Sequence, residues 1–485
     1  MANLSRERAD KYDVDLEFTL PDVGAVSDAI STIAEQDTLD LDSAYYDTAD
    51  LDLLRSGATL HRRRGVVDAG WQLKLPDREA RMELAVPPRD GTVPKELRDL
   101  VVGVRLGRPL KRVVMLRISR NVQRLLTGDD RSLAVISDDT VRASTLDGVA
   151  APTEWREIEV ELGEAGDEAL LAAIGARLVR DGAVPSPIRS KLTRALGLSV
   201  AEEDTVSDDT TAGGVVMSYL AAQRAALLIA DVALRAGQDA APAARAATRG
   251  LRSTLRVFGS TFDAERARTL SAELSWLESL LGDVADCEML RDRLAGAVAE
   301  LPGELVVGPV ARRIETRLRA EREGYQSALS RAVRGRRYLA LLDELAGWTS
   351  DPPLTDAAAE PADAVVRHLQ AAERVLAKRL RAAGAEDAND ADLRRAGNAA
   401  ERARYAAELA AVPFGPKRAR KHVERNADLQ QLLGRYQDAV RSAEFLRELA
   451  RSGGEGGFTI GVLYELEMQR ARRARTRARR ATGRG

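Results

Sequence analysis

Three glutamates alternate with apolar residues in the segment Trp155–Leu162. Glu157, Glu159 and Glu161 are each two residues apart, and isoleucine and valine stand between them. Because side chains alternate between the two faces of a strand, this spacing predicts a strand with three carboxylates on one face. Such a row can bind a divalent cation or pair with a row of bases, or it can be the solvated face of an antiparallel strand.

Other predicted strands of the same region also carry charges on one face. Near the N-terminus, Asp13, Asp15 and Glu17 alternate with apolar residues. The same alternation places on common faces His61 with Arg63, Gln72 with Lys74, and Arg81 with Glu83. If these faces point inward, the strands form a barrel whose polar interior holds both acids and bases. Such an interior suits a metal–polyanion complex, because carboxylates bind Mg²⁺ or Mn²⁺ and Arg and Lys neutralise phosphate oxygens.

The order of these motifs resembles that of CYTH domains, the triphosphate tunnel family. The resemblance covers about the first 200 residues and rests on several short motifs taken together. They are Asp13–Glu17, Tyr45–Asp50, Leu60–Gly65, Trp71–Pro76, Arg81–Glu83, Ser137–Val141, Trp155–Leu162 and Ser190–Leu192. The resemblance implies an antiparallel β-barrel tunnel over residues 1–199 and a metal-dependent triphosphatase that hydrolyses inorganic triphosphate or a related triphosphate.

The resemblance also implies roles for individual residues. The expected metal ligands, for Mg²⁺ or Mn²⁺, are Asp13, Asp15, Asp139, Glu157 and Glu159. The expected phosphate-binding residues are Arg63, Lys74, Arg81, Arg120 and Lys191. Catalysis would rest on Glu157, Glu159 and Lys74, with water activated by the metal or by a carboxylate.

Two positions depart from the family pattern. The family motif Glu-x-Glu-x-Lys is matched to Asp13, Asp15 and Glu17, so that a glutamate replaces the lysine. His61 stands where an arginine is usual. If Glu17 lies in the tunnel, Glu17→Lys is expected to raise triphosphate affinity or turnover.

Residues 200–213 are acidic and small and have no periodicity, which predicts a linker. From residue 214 to 485 the chain is rich in Ala, Leu, Arg and Glu with helical spacing, which predicts an all-α region. A proline-rich break at 349–363 separates two similar stretches. We therefore expect two antiparallel helical bundles joined there, and an α+β protein as a whole.

The helical region resembles a CHAD domain, a family that binds inorganic polyphosphate through basic residues. Four arginines at helical spacing line one predicted helix face, either as a basic stripe or as a solvated face. The polyphosphate-binding residues implied by the resemblance are Arg245, Arg249, Arg252, Arg402 and Arg404. Several usual basic positions are held by other residues, namely Pro242, Ala285, Gly397, Asn398 and Glu401. Weak, salt-sensitive polyphosphate binding is the expectation for this half.

Composition limits the remaining possibilities. The net charge of −2 and the aromatic content of 4% predict no sequence-specific binding to nucleic acid. Cys287 is the single cysteine, which suits a reducing cytoplasm. No signal peptide or long uncharged apolar run is evident, so no membrane span is expected.

Two alternatives to the triphosphatase interpretation remain open on sequence grounds. The first is a non-catalytic module that binds polyphosphate or nucleotide in a degenerate tunnel. The second is a platform that binds a protein partner through the helical region.

Overall fold

The structure is a computed structural model that describes residues 3–65, 69–76, 81–87, 92–145, 153–188, 190–198, 210–385 and 387–482. The chain forms two compact units, Met1–Val206 and Ser207–Gly485. The linker expected at residues 200–213 spans this division. Most of it lies outside the described residues, and a helix already begins at Ala212 within it.

The first unit is built on one antiparallel sheet in which β-branched residues recur along the longer strands. The strands are β1 (Asn3–Glu7), β2 (Ala9–Val14), β3 (Thr32–Asp47), β4 (Thr59–Arg64), β5 (Gly70–Pro76), β6 (Arg81–Val86), β7 (Lys111–Leu126), β8 (Ser132–Thr145), β9 (Thr153–Leu162) and β10 (Val184–Pro185). Their order across the sheet is β1-β6-β5-β4-β3-β7-β8-β9-β2-β10.

The sheet curls back on itself without closing. Only Arg8 separates the edge strand β1 from β2, the ninth strand in the order. A flat sheet would hold these strands roughly 38 Å apart at about 4.8 Å per strand, whereas two residues of chain span about 7 Å. Among the described residues no ladder joins the two ends of the sheet. The expected antiparallel architecture is confirmed, but the expectation of a closed barrel is wrong.

A helix covers the outer, apolar face of part of the sheet. The short helices of this unit are α1 (Asp52–Arg55), α2 (Lys95–Leu100) and α4 (Lys191–Ala195), and the longest is α3 (Glu168–Arg180). Ile158 and Val160 of β9 pack with Tyr12 of β2 and with Leu171 and Ile174 of α3. The charged residues that alternate with this apolar set therefore lie on the inner face of the curl.

Helix α4 is held against the inner face by apolar contacts. Leu192 and Ala195 belong to a buried cluster with Leu116, Ile118 and Trp155. Ile118 shares its face of β7 with Arg120, and Trp155 shares its face of β9 with Glu157. This packing carries the N-terminal end of α4 to the charged part of the inner face.

The second unit is built from helices, and its described residues add two isolated β-bridges, Thr211 with Pro361 and Phe262 with Leu354. Its helices are α5 (Ala212–Arg235), α6 (Ala241–Val257), α7 (Ala264–Ala299), α8 (Val310–Val333), α9 (Arg336–Ser350), α10 (Ala364–Gly384), α11 (Asp390–Leu409), α12 (Ala411–Phe414), α13 (Pro416–Arg451) and α14 (Gly457–Thr482). Short 3-10 helices span Gly259–Thr261, Gly303–Leu305 and Asp356–Ala359 in this unit and Gly24–Val26 in the first unit.

The two halves of the helical unit are similar in size. Helices α5 to α8 contain 24, 17, 36 and 24 residues, and α10, α11, α13 and α14 contain 21, 20, 36 and 26. One buried cluster joins Leu294 and Ile314 of the first half to Leu446 and Leu463 of the second. The halves therefore share part of one core.

Helix α5 is long and apolar enough, by length and composition alone, to cross a membrane. The core helix of a globular protein meets the same criterion, so this is weak support for a span. Asp231 within the helix is buried and pairs with Arg235 at 2.8 Å between Oδ2 and Nε.

Candidate functional site

Three carboxylates meet on the inner face of the curled sheet. In the strand register Asp139 of β8 lies opposite Glu157 of β9, and Glu159 follows two residues later. One oxygen from each of the three lies within 4.8 Å of the other two. Asp139 and Glu157 are 0% and 5% exposed. Oxygen donors at this spacing fit a hard divalent cation such as Mg²⁺ or Mn²⁺.

The ammonium group of Lys191 lies among these three carboxylates. Its Nζ is 3.0 Å from Asp139 Oδ2, 2.6 Å from Glu157 Oε1 and 3.4 Å from Glu159 Oε2. Lys191 is the first residue of α4, whose N-terminus is capped by the Ser190 hydroxyl. Helix α4 therefore places the Lys191 ammonium where a metal ion could contact oxygens of all three carboxylates.

Lys11 of β2 is a second lysine that pairs with these carboxylates. It was not among the site residues expected from the sequence. It lies opposite Glu159 in the strand register, and its Nζ is 3.4 Å from Glu159 Oε1 and 3.7 Å from Glu157 Oε1. The motif Glu-x-Glu-x-Lys is met by Glu7, Ala9 and Lys11, with alanine in place of the second glutamate. That spacing was the signal that could have identified Lys11.

The placement of Asp13, Asp15 and Glu17 on one strand face is wrong. Strand β2 ends at Val14, and the chain then turns, with the Phe18 N–H donating to the Asp15 carbonyl at 3.0 Å. Asp15 and Glu17 are exposed. Glu17 therefore does not reverse a charge inside the site, and the reason for expecting Glu17→Lys to raise affinity is removed.

Asp13 lies opposite Glu157 but is paired elsewhere. Its carboxylate forms an ion pair with Arg194 of α4. The Arg194 guanidinium in turn lies 5.2 Å from the centre of the Trp155 ring. Trp155 also donates its indole N–H to Glu157 Oε2 at 2.7 Å, which fixes the orientation of that carboxylate.

Arg120 donates two parallel hydrogen bonds to the Asp139 carboxylate. Its Nε and Nη2 are each 2.7 Å from one oxygen of the Asp139 carboxylate. Burial alone would lower the pKa of Arg120, but Asp139, Glu159 and Glu157 together raise it. The guanidinium stays charged and, because both contacts go to Asp139, it positions that carboxylate.

The bases keep the buried carboxylates ionised. Burial by itself would raise the pKa of Glu159, but Lys11 and Lys191 hold that pKa well below its usual value. The same balance, with Lys191 as the leading base, lowers the pKa of Asp139 and of Glu157. The three groups are therefore anionic at neutral pH and able to act as metal ligands.

A second wall of the inner face comes from β4, β5 and β6. Lys74 of β5 pairs with Glu83 of β6 at 3.5 Å. Lys74 also lowers the pKa of Glu159 on β9, although five positions separate β5 and β9 in the sheet order. The curl therefore brings Lys74 across from the carboxylates. Arg81 begins β6, and its side chain lies outside the described part of the chain.

His61 is a neutral group within this charged surface. It is 2% exposed, and its ring stacks on Tyr45 with centroids 4.8 Å apart. Burial, followed by Arg63 and Lys74, holds the pKa of His61 well below its usual value. Gln72 faces it from β5, yet neither ring nitrogen has a hydrogen bond of normal geometry to a described residue. This position therefore contributes no positive charge toward a phosphate.

The arginines of the helical unit lie at a different place, on α6 and α11, and are paired with acids. Arg245 Nη1 lies 3.0 Å from Asp286 Oδ1. Arg249 contacts Glu278 at 2.9 Å and Glu401 at 3.0 Å, and Arg252 also pairs with Glu278. Glu401, which occupies a usual basic position, therefore neutralises an arginine of the stripe.

The two remaining predicted arginines have different surroundings. Arg404 pairs with Glu408 and donates to Gln430 at 3.0 Å. Arg402 has a lowered pKa because it is partly buried and lies near Arg256 and Arg252. Glu401 acts in the opposite direction, so acids offset part of the positive charge around Arg402.

A protein-family model for the CHAD domain matches residues 218–447. Uncharacterized protein Rv2226 of Mycobacterium tuberculosis is 31% identical over 490 residues, which cover 96% of this chain and 93% of that protein. PptA from Streptomyces chartreusis aligns with a TM-score of 0.48 at 25% identity, over 57% of this chain and 100% of its own. A putative adenylyl cyclase from Hippeastrum aligns with a TM-score of 0.24 at 19% identity, over 41% and 99%.

Proposed function

The chain belongs to the same family as the mycobacterial protein Rv2226 and contains a CHAD domain, and from the geometry of its first unit we propose that this unit is a metal-dependent triphosphatase of the triphosphate tunnel type. The observation that carries the proposal is the inner face of the curled sheet. There, three carboxylates converge, and Lys11, Lys191 and Arg120 contact them.

The donor set fits a divalent cation. Asp139, Glu157 and Glu159 would hold Mg²⁺ or Mn²⁺ through oxygen, and all three remain ionised. A bound cation of this kind polarises a phosphoryl oxygen and lowers the pKa of its water.

The bases would divide the remaining work between binding and positioning. Lys74 and Arg63 would bind phosphate oxygens from the wall that faces the carboxylates, and Lys191 would bind them from α4. Arg120 would act as a positioning residue, because its two bonds hold Asp139. Lys11 would keep Glu159 ionised. Inorganic triphosphate, or the triphosphate group of a larger molecule, is the substrate class that this balance of charges suits.

Phosphate release tests the proposal directly. Purified full-length chain would be assayed with inorganic triphosphate, ATP and long-chain polyphosphate, each with Mg²⁺ and with Mn²⁺. We expect release from triphosphate that depends on the metal and is lost in Glu157→Gln combined with Glu159→Gln. Glu154→Gln, on the same strand but paired with Arg142 at the surface, is the matched control. Full turnover in the double variant would contradict the metal assignment.

A second function, binding without catalysis, is favoured by one observation. Lys191 already contacts all three carboxylates and could compete with a metal for them. Calorimetric titration with triphosphate separates the two functions. Tight binding without phosphate release would support the binding module, and release would exclude it as the whole function.

A further inference from the structure

The near-neutral charge of the whole chain conceals a strong asymmetry. Residues 364–485 contain 26 Lys and Arg against 15 Asp and Glu, a net charge of +11. Residues 1–363 contain 47 basic and 60 acidic residues, a net charge of −13. The second half of the helical unit is thus strongly basic, and the whole-chain balance gave no sign of it.

Helix α10 carries an outward-facing row of these bases. Arg374, Lys378 and Arg381 are spaced by four and three residues, so they share one face. All three are exposed, whereas Leu376 and Leu380 of the same helix are buried. Within the described part of the chain, no ion pair or hydrogen bond involves these three side chains.

Two neighbouring helices extend this basic surface. The α13 end beside α10 exposes Lys417, Arg418, Lys421 and Arg425, and α14 exposes Arg473 and Arg477. Glu373 of α10 pairs with His422 of α13. Helices α10 and α14 also share a buried cluster that includes Leu380 and Ala474. We call the exposed bases of α10, α13 and α14 the outer basic surface.

From this surface we propose that the helical unit binds the phosphate backbone of double-stranded nucleic acid without regard to sequence. The row from Arg374 to Arg381 and the bases beside it lie on the outside of a helical bundle, where a wide duplex can approach. Arg245, Arg249 and Arg252 of α6, by contrast, are half-buried and paired with acids. The partner is thus a polyanion that exposed bases on the outside of the bundle, unpaired among the described residues, can contact.

The composition of the surface favours a duplex over other polyanions. The segments 364–384, 416–425 and 470–478 contain no Phe, Trp or Tyr, so they offer no stacking platform for single-stranded bases. Val375 and Val412 are the exposed large apolar side chains on or beside these segments, which is little to insert into a lipid surface. Spread-out bases match the two phosphate backbones of a duplex, which carries about one charge per 1.7 Å.

Fluorescence anisotropy with a labelled duplex of about 30 base pairs tests this proposal on the full-length chain, at about 50 and 150 mM salt. We expect binding at low salt that weakens steeply as salt rises. Arg374→Glu with Lys378→Glu and Arg381→Glu should weaken it by about tenfold or more and lower the salt slope by about 3. Arg473→Glu with Arg477→Glu should weaken it independently.

A matched control separates this surface from net charge. Arg312→Glu with Arg334→Glu and Arg336→Glu makes the same charge change at exposed positions of the first helical half. The control should bind the duplex like wild type, and circular dichroism should show that both triple variants are folded. Equal losses in the two triple variants, or no duplex binding at low salt, would overturn the proposal. So would dependence on the α10 bases seen only with long-chain polyphosphate or with anionic vesicles.

Discussion

The inner face of the sheet and the arginine face of α6 both pair bases with acids, but in different ways. In the sheet the acids converge and bases from β2, β5, β7 and α4 surround them. On α6 the bases line up and acids from other helices approach them. Burial differs as well, since the Lys191 side chain is 7% exposed and that of Arg252 is 33% exposed. The first arrangement holds three anions close enough together to bind a cation. In the second, acids of other helices neutralise Arg245, Arg249 and Arg252 of α6.

Removing Lys191 should break the first arrangement most severely. Lys191→Ala leaves three carboxylates, two of them buried, without their shared base, which should cost about 3–5 kcal/mol of unfolding free energy. Because a divalent cation can take the same place, Mg²⁺ or Mn²⁺ should stabilise this variant more than wild type. Urea unfolding with and without metal measures both effects. Lys95→Ala, at an exposed ion pair, is the control. A variant as stable as wild type, with no extra response to metal, would contradict the arrangement.

Acidification should weaken the ion pairs on the inner face of the sheet. The folded pKa values of Asp139, Glu157 and Glu159 are lowered. Their stabilisation is therefore fully present above their unfolded values near pH 4 and is lost as the pH falls through the lower folded values. Urea titrations between about pH 5 and pH 2 should show falling stability of the first unit. The profile should be flatter in Glu157→Gln with Glu159→Gln, and a rise in stability on acidification would refute the pairing.

Reversing the charge of Glu401 should strengthen polyphosphate binding at the arginine face of α6. Glu401→Lys releases Arg249 from an acid and adds a base beside Arg402, so long-chain polyphosphate should bind about tenfold more tightly, or about 1.4 kcal/mol. Anisotropy titrations with polyphosphate measure the change. Glu444→Lys makes the same charge change at an exposed position of α13 and should have a much smaller effect. Equal gains in both variants would show that net charge, and not the α6 face, decides binding.

The smallest effect is expected at Glu17. Because Glu17 is exposed beyond the end of β2, Glu17→Lys should leave triphosphate turnover within about twofold of wild type. Steady-state kinetics with Mg²⁺ measure this, and Lys11→Ala in the same assay should lower turnover clearly. If turnover changed strongly in Glu17→Lys and stayed unchanged in Lys11→Ala, the Glu-x-Glu-x-Lys motif would correspond to Asp13–Glu17 and not to Glu7–Lys11.

The contrast between Glu157 and Lys11 shows how far the sequence could be interpreted. The alternation around Glu157 and Glu159 predicted their strand and shared face, and β9 spans both. The alternation from Asp13 to Glu17 was just as regular, but it continues past the end of the strand. Where β2 ends depends on its pairing with β9, some 140 residues away in the chain. Local periodicity holds no information about that pairing.

The helical unit shows a similar limit. The sequence indicated that Glu401 stands at a usual basic position, and the CHAD assignment is confirmed for residues 218–447. It could not show that Glu401 reaches Arg249 on another helix, because residues more than a hundred positions apart are joined only by packing. Ion pairs between distant helices therefore cannot be predicted from the sequence and are seen only in the three-dimensional structure.

The junction at Arg8 has a consequence for how the first unit is made on the ribosome. Strands β1 and β2 are synthesised first, but β2 pairs with β9, whose residue Glu157 lies opposite Asp13. At about 5–20 residues per second, the chain waits on the order of 10 s before that partner emerges. Until then β2 is an unpaired edge that can join other chains. Completion of the curl is therefore a late event, and synthesis that stalls before β9 should yield aggregation-prone fragments.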